Sequence, residues 1–301
     1  MKSNLNILIA FVAVICLATG GIFVKLCSLL PINIAFYRIL FAEIILLPFV
    51  YKDLKNISKQ FWIIILFSGV FLAMDLILWN KSFSYTTVAN ANLFVNLVPF
   101  TTIPLSYFFF KEKIRKPFLI GLLITLFGVL VLMSKNLQGQ GNIKGDGLAF
   151  TASIFYGLFL ISVYKVRLKI KISTLMFISG LGSLPILALG IFTIEKFQLP
   201  TTTSDILFLV GLALFSQLLG QGLLSFSMKK ISITLSSIII LTQPIFSAIY
   251  AFVIFHETLT KIEILGIVII LFGVYIGKKE KININFQFFK RNYFMRKVKH
   301  L

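Results

Sequence analysis

Apolar residues run along this chain in blocks of about twenty, each closed by a short cluster of charged or polar residues. A block of about 20 apolar residues is what an α-helix needs to cross a hydrocarbon core of roughly 30 Å. Marking the blocks by their polar breaks predicts ten spans, at 5–26, 31–50, 61–80, 85–110, 117–134, 146–164, 174–194, 205–227, 233–255 and 261–277. The fold class expected is therefore an all-α polytopic membrane protein, with helices joined by short loops.

Composition agrees with that pattern. Of 301 residues, 58% are apolar and only 13% charged, with a mean hydropathy of +0.97. A soluble domain runs at about 45–50% apolar and about 25% charged, so most of this apolar surface must meet lipid. The first block, MKSNLNILIAFVAVICLATGG, has the parts of a signal peptide, but further apolar blocks follow at once, which favours an uncleaved first span. Cys16 and Cys27 have no metal or disulfide spacing and are expected to be buried thiols.

The net charge of +19 is spread through the loops and does not gather into a nucleic-acid-binding face, so no nucleic-acid partner is expected. Assigning alternate loops to opposite sides puts 22 Lys and Arg on the side of both termini and six on the other, with Arg38 inside a span. That bias orients both termini toward the cytoplasm, in the cell (inner) membrane. From Lys278 the tail KKEKININFQFFKRNYFMRKVKHL interleaves basic and aromatic residues, a composition suited to anionic lipid or to a solvated extension.

Comparing the chain with itself reveals a duplication. At a constant offset of 145, Pro99 matches Pro244, Phe110 matches Phe255, Glu112 matches Glu257, Lys116 matches Lys261, Gly121 matches Gly266, and Leu126-Phe127-Gly128-Val129 matches Leu271-Phe272-Gly273-Val274. Five spans separate each residue from its copy, and an odd number reverses direction across the membrane. Two inverted five-helix repeats are predicted, at 1–135 and 136–279, followed by the tail at 280–301. Such repeats characterise secondary transporters, whose substrate site lies near the midplane between the halves.

The stretch LWNKSFSYTTVANANLFVNLVPFTTIPLSYFFFKEKI with GLLITLFGVLVLMS after it, and its counterpart from QGLLSFSMKKISITLSSIIILTQPIF to GIVIILFGVYIGKKE, resemble the two repeats of EamA-type members of the drug/metabolite transporter superfamily. The resemblance runs to about Lys279. It implies ten helices, a cavity between the halves and movement of a small metabolite. Members commonly carry a basic residue after the Glu; Lys113 fits and Thr258 departs.

An ionisable group within a span costs at least about 2.5–3.5 kcal/mol on insertion scales, so each one present marks a site to explain. Arg38 and Asp75 lie roughly 10 and 7.5 Å from the same ends of neighbouring spans, at 1.5 Å per residue, and could meet as an ion pair or as a charged cavity wall. Glu43 lies about 18 Å from Pro31, near the midplane. Its spacing suggests no partner, which opens either a neutral carboxyl bonded to a neighbouring helix or a role in proton coupling.

Ser68, Asp75, Trp79 and Ser82 share one face of the third span, while Gln217, Gln221 and Ser225 form an i, i+4, i+8 stripe on the eighth, around the repeat position of Asp75. Asn90, Asn92 and Asn96 precede Pro99, and Ser236, Ser237, Thr242 and Gln243 precede Pro244. These polar groups can satisfy the carbonyls that proline frees, making the fourth and ninth spans candidate hinges. The substrate-binding candidates are thus Asp75, Arg38, Glu43, Trp79, Ser68, Gln217, Gln221, Ser225 and Asn96, with Pro99 and Pro244 as hinges. Gly121, Gly128, Gly266 and Gly273 are expected to let helices pack closely. Glu112 and Glu257 are expected to form interfacial salt bridges or caps.

The function these features favour is a secondary transporter of small metabolites, amino acids and related compounds among them, working by alternating access. The partners expected are a small-molecule substrate, membrane lipid and protons. An intramembrane enzyme and a structural membrane subunit are the alternatives. Neither H-E-x-x-H nor G-x-S-x-G occurs, both histidines (His256 and His300) fall outside the spans, and no phosphate-binding G-x-x-x-x-G-K-[ST] loop is present. No enzyme activity, metal or cofactor is expected.

Overall fold

The computed structural model describes residues 2–55, 57–86, 88–112, 114–134, 142–256 and 259–278. The junction between the expected repeats, Glu257, Lys113, Thr258 and the basic tail lie outside these residues. Every regular element described is helical. The first half comprises α1 (Lys2–Leu26), α2 (Pro31–Leu54), α3 (Lys59–Ser82), α4 (Val88–Val95), α5 (Pro99–Phe110) and α6 (Lys116–Met133). The second comprises α7 (Ile143–Val166), α8 (Ile172–Ile194), α9 (Thr203–Gly211), a π-helical segment (Leu212–Gln221), α10 (Gly222–Ser227), α11 (Ile233–Ile240), α12 (Gln243–Phe255) and α13 (Lys261–Lys278).

Among the described residues, nine stretches are long and apolar enough to cross a membrane. In the tenth position stands α13, an 18-residue helix with Lys261 and Glu263 in its first turn and Lys278 at its end. The helix ends follow local chemistry. Proline opens α2, α5, α6 and α12, where a missing N–H costs nothing. Side chains of Asn142, Thr202 and Ser232 accept first-turn N–H groups. Thr260 and Glu263 cap α13 reciprocally, Thr260 N donating to Glu263 Oε2 at 2.7 Å and Glu263 N to Thr260 Oγ1 at 3.3 Å.

Two expected spans differ in detail. The fourth, read as one run over 85–110, is divided at residues 96–98 into α4 and α5. The ninth divides just before Gln243 into α11 and α12. Both breaks stand where proline removes an i→i−4 bond, and Val95 and Ile240, the last residues before them, are 145 apart. The eighth span winds through ten π-helical residues, which its apolar periodicity did not announce.

Helix contacts respect the duplication. Exchanging the halves carries the packing of α3 on α7 onto that of the π segment and its flanks on α1, and carries α4 and α5 on α7 onto α11 and α12 on α1. Pairs α6–α13 and α2–α8 map onto themselves, whereas α5 packs on α11 more closely than α12 does on α4. The most extensive pairing is α6 with α13. A Cβ placed on Gly121 would stand 2.5 Å from Gly277 N, and one on its equivalent Gly266 would stand 2.5 Å from Leu132 N. A Cβ on Gly128 would stand 2.7 Å from Ile270 N, and one on Gly273 would stand 2.6 Å from Thr125 N. Lipid offers no hydrophobic drive to hold two helices together, so this backbone approach supplies the contact.

Candidate functional site

The bundle has two ends, distinguished by their polar contacts. At the end bearing the chain's first helical residues and α13's last, Lys171 pairs with Asp53 at 2.9 Å. At the far end, Asp205 accepts from Ser28 N and Ser28 Oγ, both at 2.8 Å, while Glu195 Oε2 accepts from Ile32 N and Asn33 Nδ2, both at 3.1 Å. These bonds tie loops of opposite halves together. Between the halves lies a cavity of about 870 Å³. Its depth is lined by Arg38, Leu72, Tyr156, Ser216 and Gln221, its flank by Trp79, Asn92 and Asn96, and its mouth at the far end by Lys25, His256 and Glu263.

Arg38 is buried in α2 and donates from Nε to Gln217 Oε1 at 3.1 Å. No other hydrogen bond is made by this guanidinium among the described residues. Asp75 and Tyr156 lie within its electrostatic field. The expected meeting of Arg38 and Asp75 takes this weaker form: both are buried and interact electrostatically, but no ion pair within 4 Å joins them. Asp75 Oδ1 has no hydrogen-bond partner among the described residues. Tyr156 donates to Gln221 Oε1 at 3.1 Å, leaving Gln221 Nε2 without one.

Trp79 donates to Asn92 Oδ1 at 3.2 Å, and Asn96 Nδ2 to Asn92 O at 2.7 Å. Asn92 O thus accepts from both the backbone and the side chain of Asn96, at 3.3 and 2.7 Å, and Asn96 lines the cavity. Pro244 lines it too, from the other half.

Of the residues singled out in the sequence, Arg38, Trp79, Asn96 and Gln221 reach the cavity surface. Asp75 and Gln217 are buried beside Arg38, behind that surface. Ser225 donates to Gln221 O at 2.7 Å, within its own helix. Ser68 donates to Ile65 O at 2.6 Å and to Ser179 Oγ at 3.2 Å, and so belongs to the α3–α8 contact. Glu43 lies in the notch left by the missing side chain of Gly180, with Oε2 unpartnered among the described residues. These last three do not line the cavity. The separation is one of depth: the polar stripes continue past the cavity floor into the helix contacts below it.

The end bearing the chain's first residues is closed. Glu112 accepts from Tyr164 Oη at 2.7 Å and from Thr234 Oγ1 at 3.1 Å, joining the end of α5 to α7 and α11. Among the described residues it forms these hydrogen bonds and no salt bridge. Arg167 stacks with its guanidinium carbon 3.2 Å from the centre of the Tyr164 ring, donates to the Tyr164 and Met228 carbonyls, and ties α7 to the residue after α10. Burial lowers the proton affinity of the Arg167 guanidinium from its ordinary value, an effect offset in part by Tyr164 and Glu112. The repeat position of Arg167 is Ile22, which lines the open cavity. Neither Tyr156 nor Tyr164 was legible beforehand, since an aromatic ring in an apolar run reads as core, and Arg167 is one of many loop cations.

Three comparisons bear on this architecture. Residues 4–134 and 143–276 each match the EamA-like transporter family. An uncharacterised transporter of Bacillus subtilis, YetK, is 27% identical over 256 residues, covering 79% of this chain and 76% of the relative. An S-adenosylmethionine uptake transporter of Rickettsia conorii is 26% identical over 262 residues, covering 82% and 84%. A chain of a solved crystal structure superposes with a TM-score of 0.79 at 16% identity, covering 91% of this chain and 96% of that one, a likeness that shows the fold alone. The chain belongs to the EamA-like transporter family, and is a multi-pass membrane protein of two repeats built for a small-molecule substrate.

Proposed function

We propose that this protein is a secondary transporter that carries small organic metabolites across the cell (inner) membrane by alternating access. One observation carries the reading: a cavity between two halves related by an approximate two-fold, reaching one end of the bundle and shut at the other by hydrogen bonds between elements. With both termini in the cytoplasm, as the loop charges favour, the state described faces outward. Its mirror state follows from exchanging the conformations of the two halves, which the repeat makes nearly equal in energy.

In this reading Arg38, Trp79, Asn96 and Gln221 contact the substrate, while Asp75 and Gln217 hold Arg38 from behind. The breaks at Pro99 and Pro244 are the bending elements. Glu43, buried with one unpartnered oxygen at the contact between halves, is the candidate proton-coupling group. Metabolites of amino-acid size are the first substrates to test, and the name of the Rickettsia relative supports a metabolite cargo.

The test is uptake by proteoliposomes holding the full chain, with labelled amino acids, nucleosides and cofactors, with and without a pH gradient. The reading expects saturable uptake of at least one compound, accelerated by the gradient and lost in Arg38→Gln. Uptake no faster than in empty liposomes for every compound would count against it.

A further inference from the structure

The charges and donors of the cavity point to one sign of ligand. At its depth the cavity presents one charged side chain among its lining residues, the Arg38 guanidinium, while Asp75 is buried and not part of the lining. Gln217 takes the Nε proton, which fixes the plane of the fork and leaves both terminal NH2 groups without hydrogen-bond partners among the described residues. Such a fork matches two oxygens of a carboxylate in one plane.

The surrounding groups have the same polarity. Gln221 uses its oxygen to accept from Tyr156, so what it has left is the Nε2 donor. Trp79 spends its one N–H on Asn92 Oδ1, leaving the indole as a flat surface on the cavity flank and Asn92 with its amide donors. At the mouth, the Glu263 carboxylate is occupied by the cap of α13, accepting from Thr260 N and Oγ1 at 2.7 and 2.8 Å, and Lys25 lines the mouth opposite in charge.

We infer that the cavity binds organic anions through a planar carboxylate seated on the Arg38 fork, with an apolar or aromatic body against Trp79. This rests on the transport reading for its biological meaning, but not for its test. A buried guanidinium without an ion-pair partner is costly to keep in a membrane. A ligand that supplies the missing carboxylate repays that cost on binding, whereas a cation would add to it. Asp75, near but unbonded, moderates the field of Arg38 and so keeps the empty site tolerable.

Trp62 and Trp79 are the two tryptophans, so the full-length Trp62→Phe protein in nanodiscs reports on the cavity through Trp79 alone. The probes are benzoate, benzamide and benzylamine, which share a ring and carry charges of −1, 0 and +1. The expected result is saturable change of Trp79 fluorescence by benzoate, with at least about tenfold weaker response to the other two. Arg38→Lys should weaken the benzoate response about tenfold by keeping the charge but losing the fork. Arg38→Gln should abolish it, and Arg38→Lys serves alone if that variant does not fold. Equal or stronger response to benzamide or benzylamine overturns the inference while leaving a ligand cavity in place. No response to any of the three also overturns it, and the proteoliposome assay then decides the transport reading independently.

Discussion

Lys111 and His256, 145 residues apart, both take the left-handed conformation, with φ of 56° and 55°, at the C-terminal ends of α5 and α12. No other non-glycine residue among those described has positive φ. Two side-chain-bearing residues held in the same unfavoured region at equivalent points show that the duplication extends to backbone detail, and that the halves close their bent helices in one way.

Glycine at either cap should therefore stabilise the protein. The left-handed region costs a side-chain-bearing residue roughly 1–2 kcal/mol, partly offset by the greater freedom of glycine when unfolded. Lys111→Gly is expected to gain about 0.5–1 kcal/mol and Lys111→Val to lose at least as much. Melting followed by size-exclusion fluorescence checks both; a loss of stability in the glycine variant would contradict the assigned conformation.

A methyl group at Gly121 or Gly266 should be costly. Each added Cβ would meet backbone nitrogen at 2.5 Å, which no rotamer change can relieve. Gly121→Ala and Gly266→Ala are each expected to lose about 1–3 kcal/mol, as overpacked sites do. By contrast Gly147→Ala, where nothing lies within 4 Å, should gain slightly through helix propensity. Thermal unfolding of the three variants side by side separates packing from propensity.

Tyr164→Phe should loosen the closed end. It removes the hydroxyl donor to Glu112 while leaving the ring beneath Arg167. A hydrogen bond to a charged group is worth about 1.5–3 kcal/mol, and 1.4 kcal/mol shifts a two-state population tenfold. A cysteine at cavity residue 216, in a protein lacking Cys16 and Cys27, should become at least about fivefold more reactive from the side of the termini.

Much of this architecture was legible because a membrane leaves so few choices. Apolar run length sets the helices, and the Pro99 and Pro244 pair marks both helix breaks. Arg38 and Gln221 could be picked out because polar groups in spans are conspicuous. What could not be read was which polar residues face the cavity and which serve the contact beneath it: Ser68 has the same spacing logic as Trp79, yet bonds to α8, and Glu43, conspicuous by its charge alone, packs there too. Nor could the π winding of Leu212–Gln221 be foreseen, since a single shifted turn leaves the apolar pattern almost unchanged. The Glu112–Tyr164–Thr234 closure joins residues from three helices and has no local signature.

Asp75→Asn should impair uptake less than Arg38→Gln. Asp75 is not part of the cavity lining and interacts electrostatically with Arg38, whereas Arg38 lines the cavity itself, so on the transport reading Asp75 would act through Arg38. Uptake per correctly inserted molecule is expected to fall severalfold in the first variant and to background in the second. The reverse order would move the centre of the site from Arg38 to Asp75.

On the transport reading, one cavity opens alternately to the two sides of the membrane. It is tested most directly by the Ser216→Cys protein without Cys16 and Cys27, reconstituted in right-side-out and inside-out vesicles and treated with a membrane-impermeant thiol reagent. Ser216 lines the depth of the cavity, which reaches the far end in the state described. Alternating access predicts labelling from both faces, with the far face faster in the wild-type background and the ratio reversed or reduced by Tyr164→Phe. Labelling from one face alone, unchanged by Tyr164→Phe, would contradict it.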